Sequence, residues 1–150
     1  MLSERESRFL AGARVGRLAT ADAVGRPHAV PVVFACRGDS IYVPIDAKPK
    51  GDPLRLRRVR NIRENPRVVL LVDHYEEDWS RLGFLLVRGR ASLLEGAGAG
   101  GERGEAEDLL RAKYPQFGKL AVSAGPGLMI RIEVEGRAAW GRLGEEAGAV

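Results

Sequence analysis

The chain has 150 residues, of which 45% are apolar and 29% are charged, and its formal net charge is +4. This is enough material for one hydrophobic core, so we predict a single domain over residues 1–150. No apolar run is long enough to span a bilayer, and the N-terminus lacks the basic-then-apolar layout of a signal peptide, so we expect a cytoplasmic protein with no membrane contact.

The first third of the chain predicts a short helix followed by a meander of antiparallel strands. Ser3 and Glu6 have the spacing of a capping box, which predicts a helix to about Ala13. Apolar and β-branched residues predict strands over 15–20, 27–36 and 41–43, separated by turns at 22–25 and 37–39. Pro31 lacks an amide donor, so we expect it at a sheet edge, at a bulge, or where a ligand replaces the neighbouring strand.

The segment 48–63 is strongly basic. Its only acid is Asp52, and its bases are Lys48, Lys50, Arg55, Arg57, Arg58, Arg60 and Arg63. We predict a helix over 53–64, whose basic side chains either bind phosphate oxygens or form a solvated surface. Because most of the excess charge lies in this one segment, it favours a local anion over a long polyanion, and we expect no nucleic-acid partner.

The second half of the chain predicts two long strands, a helix and a closing strand. The apolar run 67–73 predicts a buried strand and 82–94 a long one, with a polar loop over 74–81 between them. The glycine-rich stretch 96–104 is typical of a flexible connector, 105–114 of a helix ended by Pro115, and 128–140 of a closing strand. Residues 141–150 are expected to be a flexible tail. These elements favour a small, mainly β barrel with two or three helices.

Few residues have the pattern of a catalytic or metal site. His28 and His74 are far apart, and the acidic loop 73–78 has no second ligand cluster, so no metal site is expected. Cys36 is interpreted as a small core residue, while Trp79 in a polar loop either stacks on a flat ligand or a partner subunit or simply packs. No hydrolase motif is present and no catalytic side chain is identified, so any enzymatic chemistry is expected to come from a cofactor.

Four segments, at 15–20, 25–34, 41–43 and 60–68, resemble the pyridoxamine-phosphate-oxidase-like split β-barrel flavoproteins. The segments Lys48-Pro49-Lys50 and Glu77-Asp78-Trp79-Ser80-Arg81-Leu82 resemble, more specifically, the branch that uses the deazaflavin coenzyme F420. The resemblance implies a six-stranded antiparallel split β-barrel of the FMN-binding type, and a homodimer with a cofactor in a groove between the subunits.

The resemblance also implies positions for the cofactor. Its phosphate would meet Lys48, Lys50, Arg58 and Asn61, with Arg57 as a neighbour. The flat ring would lie along the backbone of Pro31, Val32, Val33, Pro44 and Ile45, and Trp79 would approach from the other subunit. The second strand lacks the Arg-x-x-x-Leu-Lys motif of the vitamin B6 oxidases.

The function predicted from these features is hydride transfer between coenzyme F420 and a small-molecule organic substrate. The alternatives are an FMN-dependent oxidoreductase of the same fold, a non-catalytic cofactor or haem-related binding protein, and a nucleic-acid-binding module.

Overall fold

The computed structural model describes residues 1–45, 55–95, 101–118 and 128–144. In this part of the chain there are seven strands and three α-helices. In chain order they are α1 (Glu4–Gly12), β1 (Gly16–Ala21), β2 (Pro27–Val32), β3 (Ala35–Arg37), β4 (Ser40–Pro44), α2 (Arg57–Glu64), β5 (Arg67–His74), β6 (Gly83–Leu94), α3 (Gly101–Lys113) and β7 (Met129–Gly141). Short 3-10 turns lie at Trp79–Arg81 and Pro115–Phe117.

All seven strands form one antiparallel sheet in the order β2-β1-β5-β6-β7-β4-β3, curled into a half-barrel. The predicted mainly β, antiparallel split barrel is confirmed. The strand number is seven and not six, because the predicted strand 27–36 is two strands. β2 ends at Val32, the chain crosses at Val33 and Phe34, and β3 begins at Ala35 on the opposite edge of the sheet.

The concave face of the sheet holds the main core. Along β5 the side chains of Val68, Leu70 and Val72 are buried, as the alternation of a half-buried strand requires. The helix α1 begins with the predicted capping box, in which Ser3 and Glu6 satisfy each other's backbone amides, and it buries Leu10 in this core. The helix α2 contributes Ile62 to the same core.

Two predicted boundaries are corrected by tertiary contacts. The connector expected over 96–104 is wrong for residues 101–104, which form the first turn of α3; residues 96–100 lie outside the described part. Glu102 in this turn accepts a hydrogen bond from the Tyr42 hydroxyl (2.7 Å) and forms an ion pair with Arg131 Nε (2.6 Å). These contacts stabilise a helix start that the glycines alone do not favour.

The chain also remains ordered beyond the expected start of the flexible tail at 141. Gly141 still pairs with Gly83, the amide of Arg142 donates to the carbonyl of Leu82, and Leu143 is buried in the core. Residues 145–150 of the predicted tail lie outside the described part. Among the described helices, none is long and apolar enough to cross a membrane.

Candidate functional site

One end of the half-barrel gathers the helix α2, the β1–β2 hairpin and Pro44. The strand register places the β1–β2 hairpin beside the start of β5. Pro44 lies at the same end, because it pairs with Met129, and Met129 pairs with Leu94 at the end of β6. The helix α2 leads directly into β5 at this end. A pocket of about 110 Å³ lies here, lined by Asp22, Arg26, Pro27, His28, Arg57 and Asn61. We call it the α2 pocket.

Asn61 gives the α2 pocket a buried amide that can form a further hydrogen bond. The side chain is 1% exposed, its Nδ2 donates to the Thr20 hydroxyl at 3.0 Å, and its Oδ1 has no hydrogen-bond partner. A hydroxyl both donates and accepts, so Thr20 is satisfied by either orientation of the Asn61 amide. With the amide turned, Nδ2 becomes a donor toward the pocket, which is the group that a phosphate oxygen needs.

Arg26 is held at the mouth of the α2 pocket by a buried carboxylate. Asp22 Oδ1 accepts from the amides of Val24 (3.0 Å) and Arg26 (2.9 Å), while Asp22 Oδ2 accepts from Arg26 Nε at 2.7 Å. The backbone hydrogen bond from Arg26, followed by that residue's side-chain contact, lowers the pKa of Asp22. Asp22 therefore stays ionised and holds the Arg26 side chain among the residues that line the pocket, which also include Arg57.

The strand β2 leads from the α2 pocket along one edge of the sheet that the described residues form. Pro31 lies in this edge strand, as predicted, and is exposed. At a rise of about 3.3 Å per residue, Pro31 is about 10 Å from His28 along β2. The side chains of Val32 and Ile45 are in the core, so only their backbone can face a ligand, and Pro44 is buried while Val33 is half-buried.

Tyr114 fixes the backbone at the crossing from β2 to β3. Its hydroxyl accepts from the amide of Phe34 at 3.2 Å and lies 3.1 Å from the carbonyls of both Phe34 and Arg14, one of which receives its proton. Burial is the main cause that raises the pKa of Tyr114. The adjacent Lys113 donates to the carbonyl of Leu10 at 3.0 Å, lies 3.9 Å from the centre of the Phe34 ring, and has its pKa lowered by burial to about 8.

The structure brings together only some of the predicted site residues. Arg57 and Asn61, one helical turn apart, line the α2 pocket. Arg58, on a neighbouring face of α2, is half-buried and is not among the residues that line it. Lys48 and Lys50 lie outside the described residues.

Trp79 is far from the α2 pocket within one chain. It is 71% exposed in the turn after β5, whereas α2 precedes β5. The eight residues of β5 separate the two ends by about 23 Å. Trp79 can therefore reach this pocket only from a second copy of the chain.

Several residues of the site were not predicted from the sequence, among them Asp22, Arg26, His28 and Tyr114. Arg26 and His28 reach the α2 pocket because the β1–β2 hairpin folds toward α2. Tyr114 contacts the backbone of Phe34, which is 80 residues away in the sequence. The one available signal was the Arg26-Pro27-His28 run directly after a turn, and no spacing pattern pointed to Tyr114.

Comparison with known proteins places this architecture in a family. A family model described as pyridoxamine 5'-phosphate oxidase matches residues 2–141. A 5a,11a-dehydrotetracycline/5a,11a-dehydrooxytetracycline reductase from Streptomyces rimosus is 37% identical over 71 residues, which is 47% of this chain. The matched region spans 48% of that reductase, so the two are comparable over about half of each protein.

Two solved structures share the fold. A FAD-binding protein from Mesorhizobium loti superposes with a TM-score of 0.65 at 27% identity, covering 92% of this chain and 94% of the other. A haem storage protein from Vibrio cholerae superposes with a TM-score of 0.70 at 19% identity, covering 93% and 94%. The second likeness concerns the fold alone. Since the family model spans nearly the whole chain, including every strand of the half-barrel, this protein belongs to the pyridoxamine 5'-phosphate oxidase family.

Proposed function

We propose that this protein is an oxidoreductase that binds coenzyme F420 and transfers hydride between the deazaflavin and a small organic substrate. The observation that carries the proposal is the α2 pocket, where Asn61, Arg57 and Arg26 converge at the end of the edge strand β2. Family membership and the similarity to a reductase support oxidoreductase chemistry. The resemblance of 48–50 and 77–82 to the F420 branch supports the choice of cofactor.

The residues of the chain would bind and orient the cofactor, which supplies the hydride chemistry when bound. Arg57 and Arg26 offer guanidinium donors to a phosphate, and the Asn61 amide adds a buried neutral donor. A flat ring system placed along the β2 edge would meet the backbone of 31–33, whose position the Tyr114 hydroxyl fixes through Phe34. The contribution of the protein is then mainly proximity and orientation.

A homodimer is part of the same proposal. On the outer face of the sheet, Phe84 stacks on Trp140 with ring centroids 5.9 Å apart, and the register places Leu86 beside both Leu71 and Ala138. Trp140 remains 56% exposed. An exposed apolar sheet face of this kind favours association of two copies of the chain. Trp79 lies about 23 Å from the α2 pocket of its own chain, so a second copy would supply the Trp79 that reaches this pocket.

Parallel titrations of the purified protein with F420 and with FMN test the cofactor. We expect F420 to bind at least tenfold more tightly, which corresponds to about 1.4 kcal/mol, because the basic segment carries more cations than one phosphate requires. Equal or tighter binding of FMN in calorimetry would leave the flavin alternative in place. Binding of haem without either of these cofactors would favour a non-catalytic binding protein.

Sedimentation tests the dimer. Wild-type protein should sediment as a dimer at micromolar concentration, and Trp140→Glu should shift it toward monomer because it places a charge in the apolar face. Val24→Glu is a matched control, since Val24 is 76% exposed in the β1–β2 turn and lies away from that face. A wild-type monomer would contradict the shared groove and would leave Trp79 without a role in the site.

A further inference from the structure

A second cleft, at the opposite end of the barrel from the α2 pocket, collects three arginines from three separate elements. Arg8 comes from α1, Arg81 from the turn before β6, and Arg142 from the segment after β7. The cleft has a volume of about 360 Å³, which is in the range of pockets that hold small organic molecules. We call it the α1 cleft. Bringing three guanidinium groups to one cleft has a repulsive cost, which a bound anion would remove.

The acids near the α1 cleft only partly offset this charge. Asp73 is the one carboxylate that lines it among the described residues, and its Oδ1 accepts from Arg17 at 3.0 Å. Glu76, close by, contacts Arg81 Nε at 3.3 Å and the His74 ring at 2.6 Å. Arg8 is 3.7 Å from Glu4 in a pair that is largely exposed and therefore weak. Among the described residues that line the cleft, three arginines accompany one carboxylate, while Glu4, Glu76 and Asp78 approach these arginines from outside the lining.

The rest of the α1 cleft is largely apolar. Phe9 lies on its wall, half-buried, and Gly12 and Ala13 at the end of α1 leave room beside the ring. A Cβ built at Gly12 would meet no atom within 4 Å. An aromatic ring beside planar guanidinium groups is suited to a flat molecule with a charged end, because arginine binds carboxylates through two parallel hydrogen bonds.

We propose that the α1 cleft is a binding site for a small planar organic carboxylate, separate from the cofactor groove. The carboxylate contacts the arginines at the mouth, and the flat body lies against Phe9. The β5 strand separates this site by about 23 Å from the α2 pocket of the same chain, which is the proposed phosphate end of the cofactor groove.

Benzoate is the probe for this site, followed by amide chemical shifts in the full-length, isotope-labelled protein. We expect saturable shifts at Gly12, Ala13, His74 and Gly144, and binding at least tenfold weaker for benzyl alcohol, which has the ring without the charge. Inorganic phosphate, which has the charge without the ring, should also bind at least tenfold more weakly. Equal affinity for phosphate or for benzyl alcohol would contradict the proposed ligand class.

Three variants and one control variant locate the binding. Arg81→Gln and Arg142→Gln should each weaken benzoate binding tenfold or more, whereas Arg111→Gln, an exposed arginine on α3, should leave it unchanged. Gly12→Leu should abolish binding by filling the cleft, with no loss of thermal stability because its side chain enters open space. Wild-type affinity in the Arg81, Arg142 and Gly12 variants would overturn the assignment.

A final titration separates this site from the proposed cofactor groove. Benzoate should bind F420-saturated protein with the same dissociation constant as the free protein. Competition between the two ligands would show a shared site and refute the separate one. Failure of F420 to bind would contradict the proposed function while leaving the benzoate measurements intact.

Discussion

Tyr114→Phe removes one oxygen atom from the point where the chain crosses from β2 to β3. Phe34 is fully buried, and its amide donates to that hydroxyl at 3.2 Å. Without the hydroxyl, a buried N–H loses its acceptor and a carbonyl loses a donor. The phenyl ring itself stays, so no large cavity forms.

The cost of a buried donor left without a partner is about 1–3 kcal/mol. For a domain of this size each kcal/mol lowers the melting temperature by roughly 3–4 °C, so we expect a fall of about 3–12 °C. Urea unfolding should show the same loss at an unchanged m value, because the surface exposed on unfolding is nearly the same. If the crossing backbone also positions the cofactor ring, cofactor affinity should fall as well.

Tyr75→Phe is the matched control for this change. Tyr75 is 63% exposed, so removal of its hydroxyl should alter the free energy of unfolding by no more than about 0.5 kcal/mol. If Tyr114→Phe were as stable as Tyr75→Phe, the hydroxyl would not be holding the crossing, and its role in the site would have to be abandoned.

Three further changes test other parts of the structure. Arg57→Ala should weaken F420 binding about ten- to a hundredfold, measured by calorimetry, with an unchanged melting temperature; wild-type affinity would mean that Arg57 is only a solvated surface residue. Gly83→Ala should destabilise by about 1–3 kcal/mol in urea unfolding, because its Cβ would overlap the backbone carbonyl of Arg142, whereas Gly136→Ala, which meets no atom within 4 Å, should be neutral. Burial raises the pKa of Cys36 from 9.0 to about 11, so the thiol loses its proton at lower pH in the unfolded state than in the folded state. The free energy of unfolding should therefore fall as pH rises through that interval, and it should fall less in Cys36→Ala. Identical pH profiles of the two proteins would refute this effect of Cys36.

Local patterns in the sequence predicted most of the elements correctly. The capping box at Ser3 and Glu6 fixes the start of α1 because both partners lie within one helical turn. The apolar run of β5 identifies a strand because it consists of β-branched and large apolar residues and its alternate side chains must be buried on one face of a sheet. The missing amide of Pro31 excludes it from an interior strand position, and the structure places it in the edge strand β2.

Errors arose where distant contacts outweigh local preference. Glycines at 101 and 104 disfavour a helix, yet α3 begins at Gly101, where Glu102 is bonded to Tyr42 and Arg131. The strand predicted over 27–36 is divided at Val33 and Phe34, since the chain must pass there from one sheet edge to the other. Each β-branched residue in that run favours a strand equally, so the break has no local signal.

The sequence by itself determined the class of the fold and the basic character of α2, because periodicity and charge are properties of neighbouring residues. Only the tertiary structure decided which cations share a pocket. Arg57 and Asn61 meet Arg26 and His28 through the packing of a hairpin on a helix, and Arg8, Arg81 and Arg142 meet through three separate elements. Spatial proximity across long stretches of chain depends on strand register and sheet curvature, which a linear pattern does not encode.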